Sequence, residues 1–130
     1  IVAGSPQLAR KLQFDRQRVE DLNQMRYLIN DYYSAQNSLP PNMSDVRFTR
    51  FKDPETNLPY EYKKLNDSEY ELCATVSLEI NPHDPGIRDR YDYYGYESWY
   101  YHKAGRQCYR LTRPERDSIG KPIPSPVPVD

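Results

Sequence analysis

A turn sequence followed by two short alternating segments constrains the fold more than any other feature of this chain. The turn covers residues 53–59 and contains two prolines and an asparagine, and alternating tyrosine and glutamate follow it directly. A second alternating segment begins after a polar turn at residues 66–68. Alternation with a period of two, bounded by turn residues, predicts paired antiparallel strands over residues 58–64 and 69–78.

A long helix is predicted upstream of this turn. Ser5 and Pro6 suit the N-cap and the first helical position, and Asn37 suits a left-handed residue after the last turn. Pro40 and Pro41 then forbid continuation. Between these ends the apolar residues recur at helical spacing, at Leu8, Leu12, Val19, Leu22, Met25, Ile29, Tyr32 and Tyr33. A helix over residues 5–36 would be about 50 Å long.

The first half of this helix carries many charges and few apolar residues, so we expect only the second half to pack on a sheet. The residues expected to face the sheet are Val19, Leu22, Ile29 and Tyr33. Leu8 and Leu12 are expected not to support the core. The charged residues of the first half are Arg10, Lys11, Asp15, Arg16, Arg18, Glu20 and Asp21. We interpret them as a solvated face, with pairs such as Arg16 and Glu20 one turn apart. A charged binding surface is the alternative.

The rest of the chain predicts a second hairpin and a tail. Residues 98–103 and 106–112 are expected to pair across a turn at Ala104 and Gly105, after a loop over residues 81–95 that contains prolines and glycines. From residue 113 the chain is rich in proline, which predicts an extended tail that builds no ladder. The predicted fold is α+β, with a long N-terminal α-helix packed on a small antiparallel β-sheet over residues 1–112 and a tail over residues 113–130.

The composition predicts a small core to which tyrosine contributes much. Hydrophobic residues make up 37% of the chain, with 13 tyrosines against 3 phenylalanines and 1 tryptophan. The formal net charge of -1 gives no general attraction to nucleic acid or to an anionic membrane. No apolar run approaches the roughly 20 residues that cross a bilayer. The chain lacks an initiator methionine, so we expect a fragment or a processed form in which residues 1–4 are the last residues of a membrane segment.

The two cysteines, Cys73 and Cys108, both lie in predicted strands and indicate the compartment. A disulfide between them would close a long tyrosine-rich excursion and stabilise the fold by roughly 4 kcal/mol on the loop-entropy model. It predicts an extracytoplasmic setting, because disulfides persist in oxidising compartments. The alternative is a pair of buried free thiols in a cytosolic domain.

The order of these features resembles the soluble part of type IV pilins and of the pseudopilins of type II secretion. The residues that carry the resemblance lie between Asp15 and Tyr109: Asp15, Arg18, Val19, Asp21, Leu22, Ile29, Tyr32, Tyr33, Leu39, Pro40, Asp53, Pro54, Thr56, Pro59, Tyr60, Tyr62, Tyr70, Glu71, Leu72 and Cys73. The chain is more similar still to uncharacterised membrane-tethered proteins of small-genome bacteria, in which a cluster like Trp99, His102, Gly105 and Cys108 follows.

The resemblance implies a non-enzymatic structural or interaction domain, outside the cytoplasm or at the cell surface. It implies membrane attachment through a segment upstream of Ile1, and protein partners or self-assembly. The chain departs from the family at Asn37 and Asn57, where glycine is usual, and asparagine is the usual other residue for a positive φ. It also lacks the apolar half of the pilin helix, with its cleavage site and glutamate, so the sequence does not predict polymerisation.

One segment, residues 91–101, is richer in aromatic residues than its local fold requires. Its candidate contact residues for a ligand or partner are Tyr91, Tyr93, Tyr94, Tyr96, Trp99 and Tyr101. Such rings stack on sugars or on unpaired bases, but Asp92 and Glu97 lie among them and disfavour nucleic acid. The alternative function is therefore a cell-surface module that binds a protein or a glycan, and the alternative structure is a loop packed on its own sheet.

No pattern in the sequence predicts catalysis or a cofactor. There is no Gly-x-Ser-x-Gly elbow, and a pair of His102 and Cys108 would compete with the disulfide. With His83 beside them, Asp84, Asp89 and Asp92 are candidate calcium ligands, as pseudopilins place calcium in a loop of this sheet. Their spacing matches no EF-hand loop, and aspartates are ordinary in turns. We therefore predict no enzyme and no resident metal.

Overall fold

The computed structural model describes residues 6–80, 102–113 and 126–129. A long helix α1 (Pro6–Gln36) and a short helix α2 (Val46–Thr49) precede four strands. The strands are β1 (Glu61–Lys64), β2 (Glu69–Val76), β3 (Gly105–Thr112) and β4 (Val127–Val129). They form one antiparallel sheet in the order β1-β2-β3-β4, on which α1 packs. The predicted α+β class, with an N-terminal helix on a small antiparallel sheet, is confirmed.

Two asparagines hold the backbone conformations that the sequence assigned to them. Asn37 has φ of 58° directly after the last residue of α1, and its backbone N–H donates to the carbonyl of Tyr33 at 2.8 Å. Asn57 has φ of 61° in the turn over residues 53–59. Only glycine and asparagine or aspartate adopt this region readily, so the helix end and the turn both require a residue of this kind at positions 37 and 57.

The apolar core lies between the second half of α1 and one face of the sheet. Val19, Leu22 and Ile29 are buried, as predicted, and Tyr33 packs against the core half-buried. The sheet contributes the buried side chains Tyr70, Leu72, Tyr109 and Leu111, which β2 and β3 present to the helix. Tyrosine thus fills part of the core, because its ring is buried in the same way as that of phenylalanine.

The first half of α1 differs from the expectation. Leu8 is 47% exposed, as expected, but Leu12 is half-buried and packs against the core. Asp15, Arg18 and Asp21 are buried, so the interpretation of these three as part of a solvated face is wrong. The physical reason is that each has a hydrogen-bonding partner from elsewhere in the fold.

The sheet is built around β2 and β3, which pair over eight residues from Glu69↔Thr112 to Val76↔Gly105. Strand β1 begins later than predicted because Pro59 pairs with Lys52 instead of with β2. The predicted pairing of residues 98–103 with 106–112 is not the one that β3 makes. Strand β3 pairs with β2 along one edge and with β4 along the other. Of the strand predicted over residues 98–103, His102 pairs with Ile80, and residues 98–101 lie outside the described part of the chain.

The end of the proline-rich tail joins the sheet, which contradicts the prediction that it builds no ladder. Val127 and Val129 stand opposite Arg110 and Cys108, and Pro128 stands opposite Tyr109. The backbone polar groups of a strand alternate between its two neighbours. At Pro128 they would face away from β3, so the missing N–H costs no ladder bond, which is where edge strands tolerate proline.

Candidate functional site

Within the described part of the chain, the most elaborate polar site is a buried cluster centred on Arg18 of α1. Its guanidinium makes a bidentate pair with Asp53, through Nε at 2.7 Å and Nη2 at 3.1 Å. The other hydrogen bonds run to Asp15 Oδ1 at 2.7 Å, to Glu55 Oε1 at 2.9 Å and to the Ser77 hydroxyl at 3.0 Å. Arg18 therefore links α1 to the turn before β1 and to the residue after β2.

These contacts use every donor that Arg18 has. A guanidinium carries five N–H donors, and five hydrogen bonds leave this one. The side chain is only 3% exposed. Burial alone would lower the pKa of Arg18, but the bonds to Asp53, Asp15 and Glu55 outweigh it and the pKa is raised. Arg18 is a permanent cation with no donor left for a ligand, so its role is to hold the fold.

The two buried carboxylates of the cluster each fix a piece of backbone as well. Asp53 Oδ1 accepts from the backbone N–H groups of Glu55 and Thr56, at 2.8 and 3.1 Å, and so shapes its own turn. Asp15 accepts from the backbone N–H groups of Ser77 and Leu78, at 2.7 and 2.8 Å. Burial would raise the pKa of Asp53, but the bonds from Arg18 and the turn outweigh it and the pKa lies below its ordinary value.

A second polar link lies one turn further along α1. The Tyr60 hydroxyl donates to Asp21 Oδ2 at 2.6 Å, and Gln17 Nε2 donates to Asp21 Oδ1 at 2.8 Å. Burial and the neighbouring Asp21 carboxylate raise the pKa of Tyr60, so its hydroxyl stays protonated and remains a donor. Asp21 thus joins the helix to the residue just before β1.

A cavity of about 390 Å³ adjoins this cluster. It is lined by residues 73–77 at and just after the end of β2, and by residues 55, 56 and 58–61 of the turn and the start of β1. Of the described side chains that line it, Asp53, Glu55 and Glu61 are anionic and Arg18 is cationic. This described lining is therefore acidic, and the charge of Arg18 is already neutralised by its carboxylate partners.

The structure bears on two of the residue sets proposed from the sequence. Cys73 and Cys108 form a disulfide between directly opposed positions of β2 and β3, with Cα atoms 4.1 Å apart, as predicted. The sulfurs of the two cysteines lie near Glu71, a grouping of metal-ligand type, but a disulfide supplies no thiolate to a metal. His102 is buried, which lowers its pKa, and with Cys108 oxidised the two do not form a nucleophile and base.

The remaining candidates lie outside the described residues. These are Tyr91, Tyr93, Tyr94, Tyr96, Trp99 and Tyr101 of the aromatic segment, and the calcium candidates Asp84, Asp89 and Asp92. They stay predictions.

The sequence reasoning missed the cluster, although a signal for it existed. Asp15, Arg18, Leu22 and Ile29 follow one another at intervals that keep them on one side of a helix. A charged residue in line with an apolar stripe requires a buried partner. The missing partner, Asp53, is 35 residues away from Arg18, too far for any local pattern to reveal.

Over the described residues no helix is both long enough and apolar enough to cross a bilayer. Comparison of this chain with models of known protein families, with curated proteins and with solved structures finds no match.

Proposed function

We propose that this chain is a non-enzymatic structural or interaction domain, similar to the soluble part of a pilin or pseudopilin. In this proposal it acts outside the cytoplasm, tethered to a membrane through a segment upstream of Ile1, and contacts proteins or further copies of itself. The proposal concerns assembly rather than turnover of a substrate.

The observation that carries the proposal is the way α1 extends beyond the sheet. Over Pro6–Lys11 every residue of the helix is exposed, Leu12 is the first to pack against the core, and full burial begins at Asp15. At 1.5 Å per residue this exposed stretch is about 9 Å long. A helix that continues past its own core is suited to connecting the domain to a membrane segment or to a neighbouring subunit.

Two further features support a likeness to pilins. The positive φ values at Asn37 and Asn57 fall where the resembling sequences have glycine, so the backbone pattern is kept although the residue differs. The buried polar groups of Asp15, Arg18 and Asp53 are committed to bonds that join α1 to the turn and to the end of β2. Their arrangement serves to hold a helix on a sheet.

The test is to locate the full-length product in its native cell. Membrane fractionation, followed by protease treatment of intact cells, is expected to place the chain in the membrane fraction with this domain accessible from outside. Cross-linking on intact cells is expected to capture a second copy or a protein partner. A protein found free in the cytoplasm, with its cysteines reduced, would contradict the proposal.

A second experiment tests the alternative function, a surface module that binds a protein or a glycan. A pull-down and a glycan screen are carried out with the wild-type domain and repeated with Tyr94→Ala, which tests the aromatic segment directly. Binding that is lost in this variant, with folding retained, would favour the binding module.

A further inference from the structure

We propose that the cavity beside β2 is a docking site for an extended peptide segment that carries a lysine or an arginine. The segment would add one antiparallel residue to the edge of β2, opposite Thr75. The inference rests on the proposed interaction role and names a site and a class of partner for it.

The orientation of the β2 backbone identifies the site. The Cα atoms of Cys73 and Cys108 lie 4.1 Å apart, which is close to the roughly 4.5 Å of an opposed pair that exchanges no backbone hydrogen bonds and far from the roughly 5.5 Å of one that does. The N–H and C=O of Cys73 therefore face away from β3. Because the pattern alternates, the same holds for Thr75 and for Ser77.

The contacts on that side of β2 agree with this assignment. Cys73 is paired with Glu61 of β1, and the N–H of Ser77 donates to Asp15 at 2.7 Å. Thr75 lies between them and borders the cavity. Among the residues that the structure describes, none forms a hydrogen bond with the Thr75 backbone on this side. A donor and an acceptor thus face the cavity with no partner among the described residues, between two satisfied neighbours.

The sequence prevents β1 from filling this gap. The register of β1 with β2 would place residue 59 opposite Thr75. Residue 59 is Pro59, which has no N–H to donate, and it pairs with Lys52 instead. A peptide residue opposite Thr75 could make both missing bonds, since an antiparallel pair of this type exchanges an N–H and a C=O in each direction. This is strand addition, a recurring mode of peptide recognition.

The charge around the cavity selects a basic segment. Glu55 lines it with a side chain that is about half exposed, whereas Glu61 is already paired with Arg106 and the cation Arg18 has no free donor. Glu55 bonds to Arg18 of α1 and so lies on the helix side of the sheet. Side chains alternate between the two faces along a strand. In the bound peptide, the basic residue should therefore be a neighbour of the residue that stands opposite Thr75. The volume of about 390 Å³ lies within the roughly 300–1,000 Å³ of ligand pockets.

The probes are two blocked pentapeptides, acetyl-Val-Lys-Thr-Lys-Val-amide and its counterpart with glutamine in place of both lysines. Amide hydrogen exchange and NMR titration are measured on the whole domain. In the free protein we expect the Thr75 amide to exchange faster than those of Cys73 and Ser77. The lysine peptide should protect it and shift the resonances of residues that line the cavity.

Two variants test the two parts of the site, and a third is the control. Glu55→Gln keeps an acceptor for Arg18 but removes a charge, and should weaken the lysine peptide by a factor of about two to five without affecting the glutamine peptide. Glu69→Gln removes a charge at the far end of β2 and should change neither. Thr75→Pro removes the donor while its ladder with β3 remains, and should abolish binding of both peptides with the fold retained.

The inference is overturned if the Thr75 amide is already protected in the free protein, or if the lysine peptide protects nothing at the cavity. It is also overturned if Glu55→Gln and Glu69→Gln weaken the peptide equally, which would indicate general charge attraction. These results leave the cell-location and cross-linking outcomes of the proposed function unchanged, so the two ideas fail separately.

Discussion

Replacing Arg18 by methionine should destabilise the domain more than any other single loss of charge in the described residues. The variant Arg18→Met keeps a long side chain in place but leaves Asp15 and Asp53 without their counter-ion. Both carboxylates are buried, at 0% and 8% exposure. Removing one partner of a buried ion pair typically costs about 3–5 kcal/mol, because the remaining charge stays in a medium of low polarity.

That loss is large beside the whole stability of a domain of this kind, which is about 5–15 kcal/mol. The matched control is Arg106→Met. Arg106 also makes a bidentate pair, to Glu61 at 2.8 and 3.0 Å, but both side chains are more than half exposed. Water and salt screen an exposed pair, so the control should unfold nearly as the wild type does.

Urea unfolding followed by circular dichroism measures both variants. With a slope of about 2 kcal/mol per molar urea, Arg18→Met should lower the midpoint by roughly 2 M and the control by less than about 0.5 M. A triple variant that adds Asp15→Asn and Asp53→Asn should recover part of the loss, because no unpaired carboxylate remains buried.

The pH dependence gives a second check on the same cause. The folded-state pKa of Asp53 is lowered, so its contribution is complete above its unfolded pKa of about 3.9 and is lost as the pH falls through the folded value. The gap in stability between wild type and Arg18→Met should therefore narrow below about pH 4. A loss below about 1 kcal/mol at pH 7, equal to that of the control, would refute this account of Arg18.

Three further experiments, with five variants, test other parts of the structure. In urea unfolding, Ile29→Ala should lower the free energy of unfolding by about 2–5 kcal/mol, because its side chain is fully buried. Leu8→Ala should lower it by less than about 0.5 kcal/mol. Equal losses in the two variants would contradict the described core. Because φ is positive at residue 57, Asn57→Ala should lower the free energy of unfolding by about 1–2 kcal/mol and Asn57→Gly should leave it almost unchanged. Similar losses in both variants would indicate a role of the asparagine amide instead. Burial lowers the pKa of His102, so stability should be complete above about pH 6.5 and decline as the pH falls, and His102→Gln should reduce that decline in denaturation curves at pH 7 and pH 5.

The sequence predicted those parts of the fold whose causes are local. Asn37 and Asn57 were identified because few residues accept a positive φ, and the end of α1 followed from Pro40. The strands β1 and β2 followed from alternation, although β1 begins later because Pro59 pairs with Lys52. A local rule decides each of these, so a single sequence is sufficient.

The parts that were missed depend on contacts between distant residues. Asp15 and Arg18 are buried because they have partners at Ser77 and Asp53. A search for apolar periodicity assigns only apolar residues to the core, so it does not predict that these two are buried. The pairing of Pro128 follows from which side of β4 its nitrogen faces, and proline content alone does not determine this. The candidate cavity was not predicted either, because the open edge of β2 depends on the register of β1 and on the pairing of Pro59 with Lys52.

The open edge at Thr75 is fixed in place, and this favours binding. On one side Cys73 is held by β1 and by the disulfide to Cys108. On the other side Ser77 is held by Asp15, which the saturated Arg18 keeps in position. A peptide that adds here would order little of the protein, and a preformed site avoids much of the entropic cost of association. The ionic cluster and the disulfide therefore serve the proposed docking site indirectly, since each fixes one end of the gap that the peptide would fill.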